Sequence, residues 1–314
     1  MSQTAGRDAS ASRSADEAAG DARREAAGGV AYGLGAFLWW GMVPIYFKQV
    51  AHVSALEILA HRVIWSVVLF AVLMRIRGRW RVAAELLGSR AVIVTLCGTT
   101  VLIAVNWLTF IWAVANDLVL QASLGYFINP LLNVLLGFMF LRERLRRWQV
   151  VSVALAAAGV IYLTLGYGEL PWVALVLAGS FGLYGLLRKT ARVDALVGLT
   201  VETMLLAPAA LAYLTFLAVR GECVFGSESR WMDLLLALGG VITAVPLLWF
   251  TNAARRLRLA TIGFMQYLAP SLHFTLAVAI YGEAFTDTHK IAFGCIWTAL
   301  VVYSIDSVRR DEGT

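Results

Sequence analysis

GYFINPLLNVLLGFMFLRE, residues 125–143, is apolar enough to lie in lipid, yet it carries Asn129, Pro130 and Asn133 near its middle and ends on Arg142-Glu143. An apolar run of this length reads as a membrane span. A proline inside it removes a backbone hydrogen bond and bends the helix. Neighbouring amides can take up the carbonyls so released. A second stretch of the same kind, MQYLAPSLHFTLAVAIYGE, occupies residues 265–283. Pro130 aligns with Pro270 and Glu143 with Glu283 at one common offset, and Leu132/Leu272 and Leu136/Leu276 keep that spacing. Leucine matches are cheap in membrane helices; the proline and the glutamate are not. At slightly larger offsets Glu57 matches Glu202, and Trp40-Gly41 matches Tyr184-Gly185.

The whole chain has the composition of a membrane protein. Of its 314 residues, 60% are hydrophobic and only 15% charged, with a mean hydropathy of +0.74. A soluble domain carries about a quarter charged residues. Ten segments are long and apolar enough to cross a bilayer: 30–50, 54–74, 91–114, 119–141, 148–166, 171–187, 195–219, 232–254, 259–281 and 289–307. Residues 1–28 are Ala/Ser/Gly/Asp/Arg-rich, with no large apolar side chain after Met1. They are expected to form a disordered cytoplasmic tail. Cys97, Cys223 and Cys295 lie far apart, so neither a disulfide framework nor a metal site is expected.

Basic residues orient the chain. With the N-terminus in the cytoplasm, 21 of the 26 Lys and Arg fall inside and only Lys48, Arg220, Arg230 and Lys290 fall outside, with Arg62 in a span. That bias requires an even span count and two inside termini. It also accounts for the net charge of +6 without nucleic acid, because the basic residues sit in short loops against an anionic leaflet. Five spans per half is an odd number, so the second half must enter the membrane upside down. The expected fold is therefore all-α integral membrane, with ten transmembrane helices as two inverted repeats, 29–166 and 167–308, and a short cytoplasmic tail at 309–314. Inverted repeats of this kind rock about a site near the bilayer midplane.

The chain resembles the EamA-type permeases of the drug/metabolite transporter superfamily, and within them the RarD-like group. The resemblance rests on GLGAFLWWGMVPIYFK (33–48), ALEILAHRVIWS (55–66), NWLTFIWAV (106–114), QASLGYFINPLLNVLLGFMFLRERL (121–145) and the segments TAVPLLWFTNAARRL and TIGFMQYLAPSLHF within 243–274. It covers residues 30–307. It implies a ten-helix inner-membrane permease with cytoplasmic ends that carries small organic metabolites or drugs, often outward.

An ionisable residue inside a span costs about 3 kcal/mol on insertion scales and normally faces protein or a cavity. Glu57, His61 and Arg62 lie in the second span and Glu202 in the seventh. They are the candidates for proton or charge coupling. Glu57, His61 and Trp65 share one helix face, and Arg62 lies off it. Arg62 is a candidate to meet an anionic group on the solute. The plainer reading of these residues is an interfacial cluster at a helix start, and of Glu202 a structural ion pair with Arg188. Candidate solute-binding residues are Trp40, Asn106, Trp107, Gln121, Tyr126, Asn129, Tyr184, Asn252, Gln266 and Tyr267; for each amide, packing between helices is the plainer role. An aromatic and amide pocket suits aromatic or amphipathic solutes and would also hold organic cations by cation–π contact. His273 reads as a packed histidine. Pro130, Pro246 and Pro270 are the expected bends.

Phosphate loops, nucleophile triads and metal motifs are missing from the sequence, so no catalytic residue, metal or cofactor is expected. The expected function is a secondary transporter of a small organic solute, with protons as a candidate coupling ion. The expected protein partner is at most a second copy, as monomer or homodimer. A membrane sensor or assembly protein on the same fold is the alternative, and an intramembrane lipid-modifying enzyme a weaker one.

Overall fold

A computed structural model describes residues 2–141, 146–191, 193–257, 262 and 265–311. These residues form an all-helical bundle. The elements are α1 (Ser2–Gln49), α2 (Ala55–Ile76), α3 (Trp80–Leu87), α4 (Arg90–Ala115), α5 (Val119–Leu141), α6 (Arg147–Tyr167), α7 (Trp172–Ala191), α8 (Ala195–Arg220), α9 (Arg230–Arg256), α10 (Leu268–Thr275) and α11 (Asp287–Asp311). A single wide turn, Leu276–Ile280, prolongs α10. Eight helices are long and apolar enough to cross a membrane, and Trp172–Arg188 and Leu268–Ile280 are shorter apolar helices. Apolar side chains such as Leu165, Val219 and Ile76 project outward, 78%, 83% and 74% exposed. Lipid, not water, is the medium that accommodates such a surface.

α1 runs as a helix from Ser2. Alanine, glutamate and arginine are strong helix formers, and no proline interrupts α1 before Pro44. Its part Arg24–Gln49 is long and apolar enough to cross a membrane.

Local chemistry sets the remaining boundaries. Ser54 caps α2 by accepting from Glu57 N at 3.2 Å, and Ser229 caps α9 by accepting from Met232 N at 3.1 Å. Asp194 accepts from Leu196 N and Val197 N at the start of α8. Gly168 and Gly221 take the left-handed conformation that ends α6 and α8.

Packing gathers the helices around α2, α4, α5, α7 and α9. α2 lies against α8 and α9, α7 against α4 and α5, α1 against α9 and α10, and α6 against α11. The closest approaches need glycine. A Cβ on Gly240 would sit 2.6 Å from the Trp65 carbonyl carbon, and one on Gly125 2.7 Å from the Ala174 oxygen. These positions set how tightly α9 meets α2 and α5 meets α7. The main core includes Phe47, Ile58, Phe110, Leu124, Leu177 and Phe293. Aromatic edges from Phe274, Phe285 and Trp297 close on Phe293.

The two ends of the bundle differ in character. At one end, the loops after α1, α4, α8 and α10 converge. Lys48 pairs with Asp117, and His52 Nε2 lies 3.1 Å from Glu228 Oε2. Here the start of α5 has no cap of its own. Glu283, in the loop after α10, supplies it: Oε1 accepts from Val119 N and Oε2 from Leu120 N, each at 2.8 Å. Burial pushes the Glu283 carboxyl up from its ordinary value, while the two amide donors and Lys48 pull it back down. At the opposite end, Arg79 meets Asp194 and Arg146 meets Asp306. Glu143, the sequence counterpart of Glu283, lies outside the described residues, as does the Arg142–Arg144 stretch.

Glu283 thus ties residues far apart in sequence through backbone donors that have no other helical partner. Glu283→Ala is expected to cost about 1–2 kcal/mol and to lower the thermal unfolding midpoint of detergent-purified protein. Glu283→Gln, which keeps one acceptor, should cost less. An unchanged midpoint in the alanine variant would contradict this role for the carboxylate.

Candidate functional site

The polar side chains buried in the bundle fall into three groups. The first occupies the centre, between α1, α2, α4 and α9. Arg62 Nε donates to Thr243 Oγ1 at 2.6 Å. Its guanidinium carbon stands 4.2 Å from the Trp107 ring centroid and 5.9 Å from that of Phe47. Both Tyr46 and Tyr126 lie within electrostatic reach of it. Tyr46 OH is committed to Leu235 O at 2.8 Å. Gly239 makes room for this arrangement: a Cβ there would approach Arg62 Cα to 3.3 Å and the Tyr46 hydroxyl to 3.4 Å.

Next to it, α4, α5, α7 and α10 carry a hydrogen-bonded aromatic set. Asn106 is buried and donates to Leu177 O at 3.1 Å and to Ser180 Oγ at 3.0 Å. Tyr126 OH donates to Asn106 Oδ1 at 3.4 Å. His273 Nε2 lies 3.0 Å from Trp40 O, with its ring beside Phe110 and Tyr126. Phe181 bridges onward, 6.4 Å from Tyr126 and 6.1 Å from Tyr184.

The second group is centred on Glu202, which is fully buried on α8. Thr99 Oγ1 donates to Glu202 Oε1 at 2.7 Å and Tyr184 OH to Oε2 at 3.2 Å. Arg188 Nη1 lies 3.7 Å from Oε1. Three helices, α4, α7 and α8, therefore meet on one carboxylate. A buried charge of this kind is tolerated because it has both a counter-charge and hydroxyl donors.

The third group lies at the end of the bundle that also holds Glu283. Glu57, 2% exposed, accepts from Val224 N at 2.7 Å through Oε1. His61 Nε2 is 4.0 Å from that oxygen, and its ring stacks on Phe225 at 4.9 Å. Trp65 also borders Phe225, 6.3 Å away. The shared face of Glu57, His61 and Trp65 thus receives the loop 221–229, which folds over the start of α2. That loop also brings Cys223 in: ligand-type atoms of Glu57, His61 and Cys223 all lie within 4.8 Å of one another.

The other candidates are dispersed. Tyr267 lies close to Tyr303 and Ser304 on α11. Asn252 Nδ2 donates to Leu248 O on its own helix, and its oxygen accepts from Arg256. Gln266 is half-buried just ahead of α10. Asn129 is fully buried, and neither of its side-chain amide atoms has a partner among the described residues. It does not take up the carbonyl freed by Pro130, as the adjacency in sequence suggests. Gln121 Oε1 is likewise buried without a partner. At the other bend, Ser123 Oγ, reaching from α5, donates to Pro270 O at 2.8 Å.

Comparison with known proteins places these features in a family context. Residues 27–165 match the model of the EamA-like transporter family. An uncharacterized transporter of Vibrio cholerae is 49% identical over 91% of this chain and 95% of its own length. Protein RarD of Escherichia coli K12 is 46% identical over 91% of this chain and 97% of its own length. A chloramphenicol-sensitive protein RarD of Pseudomonas aeruginosa is 33% identical over 90% of this chain and 95% of its own length. A protein of known crystal structure superposes with a TM-score of 0.57 at 18% identity, over 87% of this chain and 96% of the other; at that identity only the fold is shared.

Several partners of these side chains carry no signal in the sequence. Thr243, Thr99 and Ser180 are ordinary small helix residues until the fold sets them against Arg62, Glu202 and Asn106. The Glu57–Val224 contact spans α2 and a distant loop, so spacing could not reveal it. Its consequence is measurable. Glu57→Ala is expected to release the loop 221–229 and to speed hydrogen exchange at the Val224 amide by roughly tenfold, the worth of a hydrogen bond to a charged acceptor. Exchange at Leu120 should be unchanged, because Glu283 holds that amide independently. Equal exchange at Val224 in both proteins would contradict the assignment.

Proposed function

We propose that this chain, which belongs to the EamA-like transporter family and to its RarD-like members, moves a small organic solute across the inner membrane by alternating access about the centre of the bundle. At the coarser level it is a multi-pass membrane transporter of the secondary type and not an enzyme. The finer reading takes the eight long and two short apolar helices as ten spans in two inverted five-helix repeats, 29–166 and 167–308. The charge bias puts both termini in the cytoplasm and the Glu57 and Glu283 end outside.

Helix pairing supports the repeat. The third span of the first half, α4, lies against the first of the second half, α7; in the same way α9, third in the second half, lies against α1. α2 and α8, second in each half, lie against each other, and so do the fifth spans α6 and α11. The observation that carries the functional reading is the central group of Arg62, Trp107, Asn106 and Tyr126. It joins α2, α4 and α5 to α7 and α9, the helices that two rocking halves would move relative to each other.

Glu57 and Glu202 are the proposed proton-linked groups. A neutral Glu57 accepts more weakly from Val224 N than a carboxylate does, so proton uptake would loosen the closure at that end. Reconstituted vesicles provide the test. Amino acids, nucleobases, organic cations and amphenicols are first screened by thermal shift on the purified protein, and each stabilising compound is then assayed for flux. Saturable flux that responds to an imposed pH gradient, with that response lost in Glu57→Gln, is the expected result. Solutes that bind but never cross would refute transport. Flux indifferent to pH in both proteins would refute proton linkage through Glu57.

A further inference from the structure

We propose that the transported solute carries an anionic oxygen group, a carboxylate or its chemical equivalent, that Arg62 receives, with a flat apolar body against Trp107 and Phe47. This rests on the transporter reading above and narrows its substrate class. Arg62 lies eight residues beyond the Ser54 cap, roughly 12 Å along α2 and well within the span. A guanidinium offers five N–H donors. Here Nε alone has a partner, Thr243, and that partner is neutral. Among the described residues no carboxylate lies within ion-pair distance of Arg62, and its terminal nitrogens have no protein acceptor.

The neighbouring acids are already engaged. Glu57 takes Val224 N, and Glu202 takes Thr99, Tyr184 and Arg188. Arg62 is half-buried, whereas Glu57, His61, Val63 and Ser66 around it on α2 are buried. A cation that only knitted α2 to α9 would not need a fork of unpaired donors. A membrane-buried charge with no counter-charge is costly, and a bound anion removes that cost, the more so because the planar fork matches a carboxylate in two parallel bonds.

The aromatic walls fix the rest of the ligand. Trp107 and Phe47 flank the guanidinium, while Phe110 and Tyr126 continue the surface toward His273. The same geometry argues against organic cations at this face. The Trp107 face is already covered by a protein cation, and a second positive charge there would be repelled.

The test uses three probes of one shape: 4-nitrobenzoate, the neutral 4-nitrobenzamide and the cationic 4-nitrobenzylamine, titrated calorimetrically into the full-length protein in detergent. The carboxylate is expected to bind roughly ten- to hundredfold more tightly than the amide, and the ammonium weakest. Arg62→Gln should erase the preference. Arg62→Lys, which keeps the charge but loses the fork, should keep only part of it and serves as the test if the glutamine variant does not elute as a single folded species. Absence of saturable carboxylate binding, equal or tighter binding of the amide or ammonium, or a preference that survives both substitutions would each overturn the proposal. Flux measurements separate this from the broader reading. A carboxylate that binds through Arg62 but is never transported leaves the anion site standing and removes the transporter. Flux that ignores both solute charge and Arg62 does the reverse.

Discussion

Two carboxylates that accept backbone N–H groups from distant segments hold one end of this bundle together. Glu57 on α2 takes Val224 N, and Glu283 after α10 takes Val119 N and Leu120 N. The constraint behind both contacts is the cost of an unsatisfied backbone group near lipid. A helix start that lacks its own serine or aspartate cap must borrow one. Because the borrowed cap comes from far along the chain, helix termination and the joining of the proposed halves become a single interaction. The close approaches at Gly125 and Gly240 then decide how tightly the helices can meet below it.

Buried polarity is distributed unevenly beneath that closure. Glu202 has a full set of partners and reads energetically as a satisfied core element. Asn106 is equally well bonded. Arg62 is the cation without a counter-charge: one neutral hydrogen bond and two aromatic faces, in a place where charge is expensive. Satisfied groups hold architecture in place, whereas a charged group with unused donors is equipped to bind something else. That contrast, more than any single distance, separates the scaffold from the proposed site.

Much of the fold was legible in the sequence because hydropathy and charge act locally. Helix positions follow from apolar run lengths, and His61 and Trp65 fall on the Glu57 face as four-residue spacing requires. The site was less legible. Arg62 and Trp107 stood out as residue types unusual in spans, but Thr243 and Thr99 acquire their roles only from tertiary placement. Asn129 shows the opposite failure. Adjacency to Pro130 suggested a local hydrogen bond, yet its side-chain amide has no partner among the described residues. Asn252 is engaged on its own helix, with Leu248 O and Arg256, which spacing alone does not reveal.

If the Glu57 and Glu283 end must part for solute to pass, locking it should stop transport. His52 and Glu228 offer the place: their side chains are 3.1 Å apart, exposed, and on the two segments that would separate. The measurement is flux through vesicles containing the His52→Cys/Glu228→Cys protein, with Cys97→Ala, Cys223→Ala and Cys295→Ala, before and after treatment with a reducible bis-methanethiosulfonate cross-linker long enough to span the two long side chains it replaces. Alternating access about the central Arg62 requires flux to fall to background when the cross-link forms and to return on reduction, while solute binding persists in the locked protein. Undiminished flux through the fully cross-linked protein would contradict it.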